Sequence, residues 1–316
     1  MGGRLDPAIA ATRTAVRRAL ADVDPGDLVL VACSGGTDSL ALAAATAHVA
    51  PRQRLRAGAV VVDHGLHPDS AAVAERAALA TRDLGLDPVE VVRVQVRVTR
   101  DGPEAAARSA RHRALADAAG RHGAVAVLLA HQRDDQAEQV LLGLARGSGA
   151  RSLAGMPARR GALRRPFLEL PRGTLAKAVA AQGLVPWHDP ANDDPAFTRN
   201  RVRHDALPVL ERALGPGIDA ALARTARQLR ADTDALDAIA DDAERAARTS
   251  TGWDVAALAA LHPAVRARVL RIAGGRATDV QVRALDALVT DWHGQGPVAL
   301  PGGRTITRRG GCLHRG

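Results

Sequence analysis

Ser34-Gly35-Gly36-Thr37-Asp38-Ser39 separates a short apolar run from a helix-forming stretch. At such a junction the free N–H groups and the helix dipole favour an anion, the glycines let it approach the backbone, and serine hydroxyls add donors. The lysine of a Walker loop is missing, and so is the GxGxxG pattern of dinucleotide sites. The spacing therefore predicts a phosphate-binding loop of another kind. Two further polar clusters, Asp63-His64-Gly65 and His131-Gln132-Arg133-Asp134-Asp135, each follow another apolar run. In an open parallel sheet, ligands bind beyond the carboxyl ends of the strands, so these three clusters are expected to converge.

Asp135 and Glu138 are three residues apart and share one face of a first helical turn. Such a pair can grip an ammonium group. It can equally serve as a helix cap, because acids near a helix N-terminus are favoured by its dipole. Arg108 is either a surface cation or a phosphate ligand. His131 is either a core histidine or part of the site, and its spacing from Asp135 is too weak to suggest a transition metal. Arg199, Arg201 and Arg203 alternate along the chain. On an extended segment they would form a rail for phosphates, and on a helix they would spread around the surface.

The elements that must position these residues are legible from periodicity. Apolar runs at Leu28 to Ala32, Ala57 to Val62 and Ala124 to Ala130, with the alternating segment Val89 to Val98, read as strands. Helical patterns follow at Leu40 to Ala50, Ser70 to Leu84, Pro103 to about Ala119, and Asp134 to Arg146. This β-α repetition predicts an α/β fold with a parallel, Rossmann-like sheet covered by helices. Residues 147–212 carry many breakers and read as loops and short helices. Neither Gly nor Pro occurs from Asp219 to Arg248, where Leu222, Leu229, Leu236 and Ala243 recur every seven residues. One long helix is expected there, packed within its own chain. The expected organisation is a catalytic domain over 1–212, a helical linker over 213–252, and a small domain over 253–316. The last of these should end in a hairpin turning at Gly302 and Gly303.

Of the 316 residues, 47% are hydrophobic and 24% charged, which excludes disorder and suits a soluble protein of about two domains. No apolar stretch reaches the roughly 18 residues of a membrane span, and the first 20 residues lack the core of a signal peptide. A cytoplasmic location without membrane contact is expected. Two cysteines, Cys33 and Cys312, are too few for a disulfide scaffold or a cysteine-only metal centre. The net charge of +9 is concentrated in residues 151–212 and in the acid-free stretch 292–316. Clustered arginine points to a polyanionic partner.

SGGTDS resembles the signature of the PP-loop ATP pyrophosphatases. Further segments narrow the resemblance: VDHGLHPDS over 62–70, EAAARSARHRAL over 104–115, LAHQRDDQAEQVLLGLARGSG over 129–149, and WHDPANDDPAFTRNRVRHDALPVL over 187–210. In this order they are similar to the tRNA(Ile)-lysidine synthetase family. The resemblance implies ATP-dependent adenylation of the wobble cytidine in a CAU-anticodon isoleucine tRNA, followed by attack of free L-lysine to give lysidine. It implies that Ser34, Gly35, Gly36, Thr37 and Ser39 hold nucleotide phosphates with Asp63 and His64 nearby, and that Asp38 positions Mg2+. It further implies catalytic roles for Asp38, Arg108 and His131, lysine binding by Asp135 and Glu138, and tRNA or phosphate contacts by Arg199, Arg201 and Arg203. The small C-terminal domain would bind tRNA, and a homodimer is compatible with the pattern. Gln132, His112 and Ala191 depart from the residues common in that family. A tRNA-thiolating relative would need more cysteine chemistry than two distant thiols supply, and an ATP-binding sensor would leave the acid pair and basic segments unexplained.

Overall fold

The computed structural model describes residues 5–65, 69–95, 103–147, 149–275 and 277–316. The chain divides into two compact units, 1–227 and 228–316, and the division falls inside a long helix.

The first unit opens with helix α1 (Pro7–Ala19), which periodicity did not reveal although its start is well signalled: Pro7 takes the first position and the Asp6 carboxylate accepts from Ala8 N at 2.7 Å. The α/β alternation then runs as β1 (Leu28–Ala32), α2 (Thr37–Val49), β2 (Arg56–Asp63), α3 (Ser70–Asp83), β3 (Val89–Arg93), α4 (Pro103–His122), β4 (Ala124–Leu128) and α5 (Arg133–Ala145). After the short α6 (Ala150–Leu153) come β5 (Arg159–Arg160), β6 (Leu163–Arg164), α7 (Arg172–Ala180), α8 (Thr198–Arg201) and α9 (Leu207–Leu214). Strand β3 stops at Arg93, short of the expected Val98, and residues 96–98 lie outside the described residues.

The sheet order is β3-β2-β1-β4-β6-β5, parallel throughout except for the antiparallel edge pair β5 and β6. Strand β1 is central and apolar on both faces, as a covered parallel strand must be. Its alternation sends Val29 and Val31 into a core with Leu40, Leu42, Phe167 and Leu175, and Leu28 and Leu30 into a second core with Val60, Val127 and Leu115. Gly58 lets β2 approach the chain at Pro88, because a Cβ there would lie 2.4 Å from the Pro88 carbonyl oxygen.

Helix α10 (Ile218–Ala247) matches the long helix expected from the sequence. Its most buried row is Ala226, Thr233, Ala240 and Ala247, flanked by the half-buried leucine row. In the second unit β7 (Gly252–Asp254), α11 (Val255–Ala259), α12 (Pro263–Gly274), α13 (Asp279–Thr290), β8 (Val298–Ala299), β9 (Thr305–Arg309) and β10 (Cys312–Arg315) follow. The strands form an antiparallel sheet in the order β7-β10-β9-β8 over a core that includes Trp253, Leu270, Leu285, Ile306 and Leu313. The expected hairpin turn is present at Gly302 and Gly303, both with positive φ. Among the described residues, no helix is long and apolar enough to cross a membrane.

Candidate active site

The chain leaves β1 at Ala32 and turns through Ser34, Gly35 and Gly36 into α2. Gly35 has φ +80° and lies against α3, where a Cβ would meet the Ala77 methyl at 3.1 Å. A side chain there would be strained in conformation and tight in space. No side chain caps the first turn of α2, so the N-terminal amides of this 13-residue helix keep their capacity to bind an anion. Ser39 has a different task from Ser34. It is buried, its Oγ accepts from Ser34 N at 3.2 Å and donates to Gly36 O at 2.9 Å, and it folds the loop back on itself. Ser34 is exposed. Trp187 N donates to Gly35 O at 2.9 Å, so a segment remote in sequence braces the same turn.

A cavity of about 580 Å³ opens at this end of the sheet, within the size range of ligand sites. Ser34, Gly36, Thr37, Asp38 and Ser39 line it from the loop. His64 lines it after β2, His131 and Asp135 after β4, and Arg203 from the turn beyond α8. The three polar clusters thus converge as the parallel sheet required. Asp63 is buried beneath the rim, where its Oδ1 accepts from Gly65 N at 2.9 Å and shapes the turn after β2. Glu138, Arg199, Arg201 and Arg108 are outside the cavity lining.

The capping reading of the acid pair is realised at Asp135, while Glu138 pairs with arginines of the chain itself. Gln132 caps α5: its side chain accepts from Asp134 N at 2.7 Å, while Asp135 Oδ2 accepts from Gln132 N at 3.0 Å. Asp135 Oδ1 faces Arg203 Nη2 at 3.4 Å. Glu138 is fully buried, with Arg199 Nε 2.7 Å from Oε2 and Arg203 Nε 2.6 Å from Oε1. Arg172 Nη2 stands 3.8 Å from the same carboxylate. Arg199 belongs to helix α8 and Arg203 to the wide helical turn Val202–Ala206 that continues it, so the extended rail is not formed. Arg201 turns away and donates to Pro195 O and Ala196 O.

The field in the cavity is divided. Burial, reinforced by the nearby Asp135, pushes the Asp38 carboxyl up to about 6, against the opposing pull of Arg172 and Arg203. Across the cavity, burial and Arg111 lower His64, and burial with Arg111, Arg165, Arg199 and Arg108 holds His131 well below the ordinary histidine range. Both rings are neutral at pH 7, and each has a buried Nδ1 with no hydrogen-bond partner among the described residues. Among those residues no group of three or more His, Cys, Asp or Glu gathers as a metal centre. Asp38, repelled by Asp135, nonetheless fits a cation that would draw its remaining ligands from phosphate and water.

Arg111, Arg172 and Trp187 line the cavity although sequence reading did not single them out. Arg111 was accessible in principle, since it stands three residues after Arg108 and shares its helix face. Arg172 opens α7 and Trp187 arrives from the loop after it, placements that no local pattern announces.

A family model described as a PP-loop domain matches residues 10–210, and one described as a TilS substrate binding domain matches residues 254–314. A tRNA(Ile)-lysidine synthase of Thermobifida fusca is 59% identical over 315 residues, covering 97% of each chain. That of Streptomyces coelicolor is 52% identical over 344 aligned positions, again covering 97% of each. Among solved structures, the U34-tRNA thiolase NcsA from Methanococcus maripaludis superposes with a TM-score of 0.59 at 18% identity, covering 71% of this chain and 80% of that one. That likeness speaks for the fold alone.

Proposed function

The chain belongs to the tRNA(Ile)-lysidine synthase family, and from that premise we propose that it joins free L-lysine to carbon-2 of the wobble cytidine in a CAU-anticodon isoleucine tRNA. It is an ATP-using tRNA-modifying enzyme, and the bond it makes classes it as a carbon–nitrogen ligase. In the first step the cytidine O2 attacks the α-phosphorus of ATP and pyrophosphate leaves. In the second the lysine ε-amine attacks carbon-2, AMP departs with the oxygen, and the amine loses its proton. Lysidine then pairs with A instead of G. The observation that supports this reading is one cavity lined both by an uncapped helix N-terminus, suited to phosphates, and by the carboxylate of Asp135, suited to an ammonium.

Ser34, Gly36 and Thr37 receive the phosphates, while Ser39 and Gly35 hold the loop in shape. Asp38 would hold a magnesium ion, whose charge offsets that of the phosphate oxygens. His64 and His131, being neutral, present ring nitrogens to the nucleotide and the reacting base without adding charge. Arg108, set back from the cavity lining, adds positive potential that favours the phosphates of the activated intermediate. Asp135, which lines the cavity, would contact the lysine ammonium, and Glu138, buried behind it, fixes the arginines around it. Arg199 and Arg203 keep Glu138 in place, and Arg203 also reaches the cavity. Arg201 is the arginine of this segment best placed to meet RNA phosphate. Activation turns a poor leaving group into a good one, so the protein's work is positioning and charge stabilisation.

Supplying ATP, magnesium, CAU-anticodon tRNA and radiolabelled lysine tests the reading. Lysine should enter the tRNA with release of AMP and pyrophosphate. If pyrophosphate is released but no lysine is incorporated, the ligase assignment falls.

A further inference from the structure

The molecule buries three arginines among its described residues, and two of them have carboxylate partners. Arg164 pairs with Asp22, and Arg266 Nε lies 2.7 Å from Asp286 Oδ1. Arg165 is the exception. Only 5% exposed, it donates from Nη1 to Pro157 O at 2.8 Å, while its Nε has no partner and no acid approaches it among the described residues. A guanidinium withdrawn from water without a counter-charge is costly, and an arriving anion would offset that cost.

The surroundings of Arg165 sharpen the point. Arg164, at the end of β6, reaches Ala19 O and Asp22, whereas Arg165, which also borders a cavity beside α1, has Arg108 and Arg111 of α4 among its electrostatic neighbours. Burial, with repulsion from Arg108, Arg160 and Arg111, lowers the Arg165 guanidinium to about 10. Arg111, whose own Nε is buried without a partner, links this cluster to the cavity wall. His112 faces the same cations, and burial with Arg111 and Arg108 lowers it to about 4, so it adds no charge.

We propose that Arg165, with Arg111 and Arg160, forms a second phosphate subsite that receives a backbone phosphodiester of the RNA substrate. The subsite rests on the reading of this chain as a tRNA-modifying enzyme. It is separate from the nucleotide loop: the loop follows β1, whereas Arg165 follows β6, two strands away in the sheet order, a lateral distance of about 10 Å at the usual strand spacing. One phosphate cannot touch both. A nucleotide seated on the loop leaves the arginine cluster to a phosphate of the other substrate, next to His131.

The test uses the full chain and unmodified CAU-anticodon tRNA, with affinity measured from 50 to 200 mM salt, and ATP binding titrated separately without RNA. Arg165→Met should weaken tRNA binding by about tenfold and reduce the slope of log K against log salt by about one, with ATP affinity unchanged within twofold. Arg160 is exposed, so Arg160→Ala cannot perturb a core and should lower the slope in the same direction. Circular dichroism of Arg165→Met guards against misfolding, and if that variant is unfolded, the slope measured for Arg160→Ala decides the matter by itself. Parental tRNA affinity and slope in the folded variants overturn the subsite. Loss of ATP affinity with tRNA binding intact overturns it in favour of a nucleotide phosphate. If the parent chain itself binds no tRNA, the functional reading fails and the subsite with it.

Discussion

Arg203 Nε lies 2.6 Å from Glu138 Oε1, joining groups 65 residues apart in the chain. The contact ties the segment after α8 to the first turns of α5, and Arg199 completes it from one helical turn earlier, 2.7 Å from the other carboxylate oxygen. Two arginines that alternate in the sequence thus serve one buried acid, because the backbone between them is helical and places residues four apart on one face.

Glu138→Gln is expected to destabilise the first unit. The amide keeps the shape but removes the negative charge that balances two half-buried guanidiniums, a loss of about 2–4 kcal/mol for a broken buried pair. In a unit of this size the melting temperature followed by circular dichroism should fall by roughly 5–15 °C. A change below about 2 °C would show that Glu138 is not a structural anchor.

Salt dependence separates the arginines of this segment. Arg203 and Arg199 are engaged by Glu138, whereas Arg201 is exposed and, among the described residues, donates only to carbonyl and hydroxyl acceptors close to it in the chain. Arg201→Ala should flatten the log K against log salt slope for tRNA by about one unit with little change in melting temperature. Arg203→Ala should chiefly lower the melting temperature. The reverse pattern would make Arg203 the phosphate ligand and Arg201 a loop brace.

The strand-and-helix order around the loop is legible in the sequence because each element carries a local period and the turns carry their own residue types. Burial of β1 on both faces follows from Leu28 to Ala32 being continuously apolar. The capping role of Asp135 is legible too, as one of two readings. What periodicity does not contain is partnership at a distance: that Arg199 and Arg203 meet Glu138, that Trp187 braces Gly35, or that Arg165 is buried without an acid. Those depend on which loops the sheet order brings together. The helical state of 198–206 is hidden for a local reason, since Pro195 and the polar run before it read as a breaker while the helix begins just beyond them.

Asp135→Asn isolates lysine recognition. Asp135 lines the cavity, and its capping oxygen can be replaced by the amide carbonyl, so the fold should survive. Loss of a charge-assisted contact of about 1.5–3 kcal/mol predicts a roughly 10- to 150-fold weaker use of lysine, with adenylated tRNA still formed. Following AMP-tRNA and lysidine separately makes the distinction. Normal lysine transfer by the variant would leave Asp135 as a helix cap and nothing more.

Asp38→Asn should abolish adenylation and stabilise the protein. Burial and Asp135 raise the Asp38 carboxyl to about 6, above its range in the unfolded chain. Between about pH 4 and 6 the native state therefore holds a proton that the unfolded state has lost, and stability contributed by this group declines as pH rises through that window. Above it the ionised carboxylate costs about 1–3 kcal/mol, which the neutral amide avoids. The variant should match the parent in melting temperature near pH 4 and exceed it by a margin that grows to pH 6 and then levels. The same charge is what a metal-bound triphosphate requires, so pyrophosphate release should drop by on the order of 10²–10³-fold. A folded variant with near-parental release would remove Asp38 from the chemistry, and equal melting temperatures at pH 7 would show that its charge is already balanced without ligand.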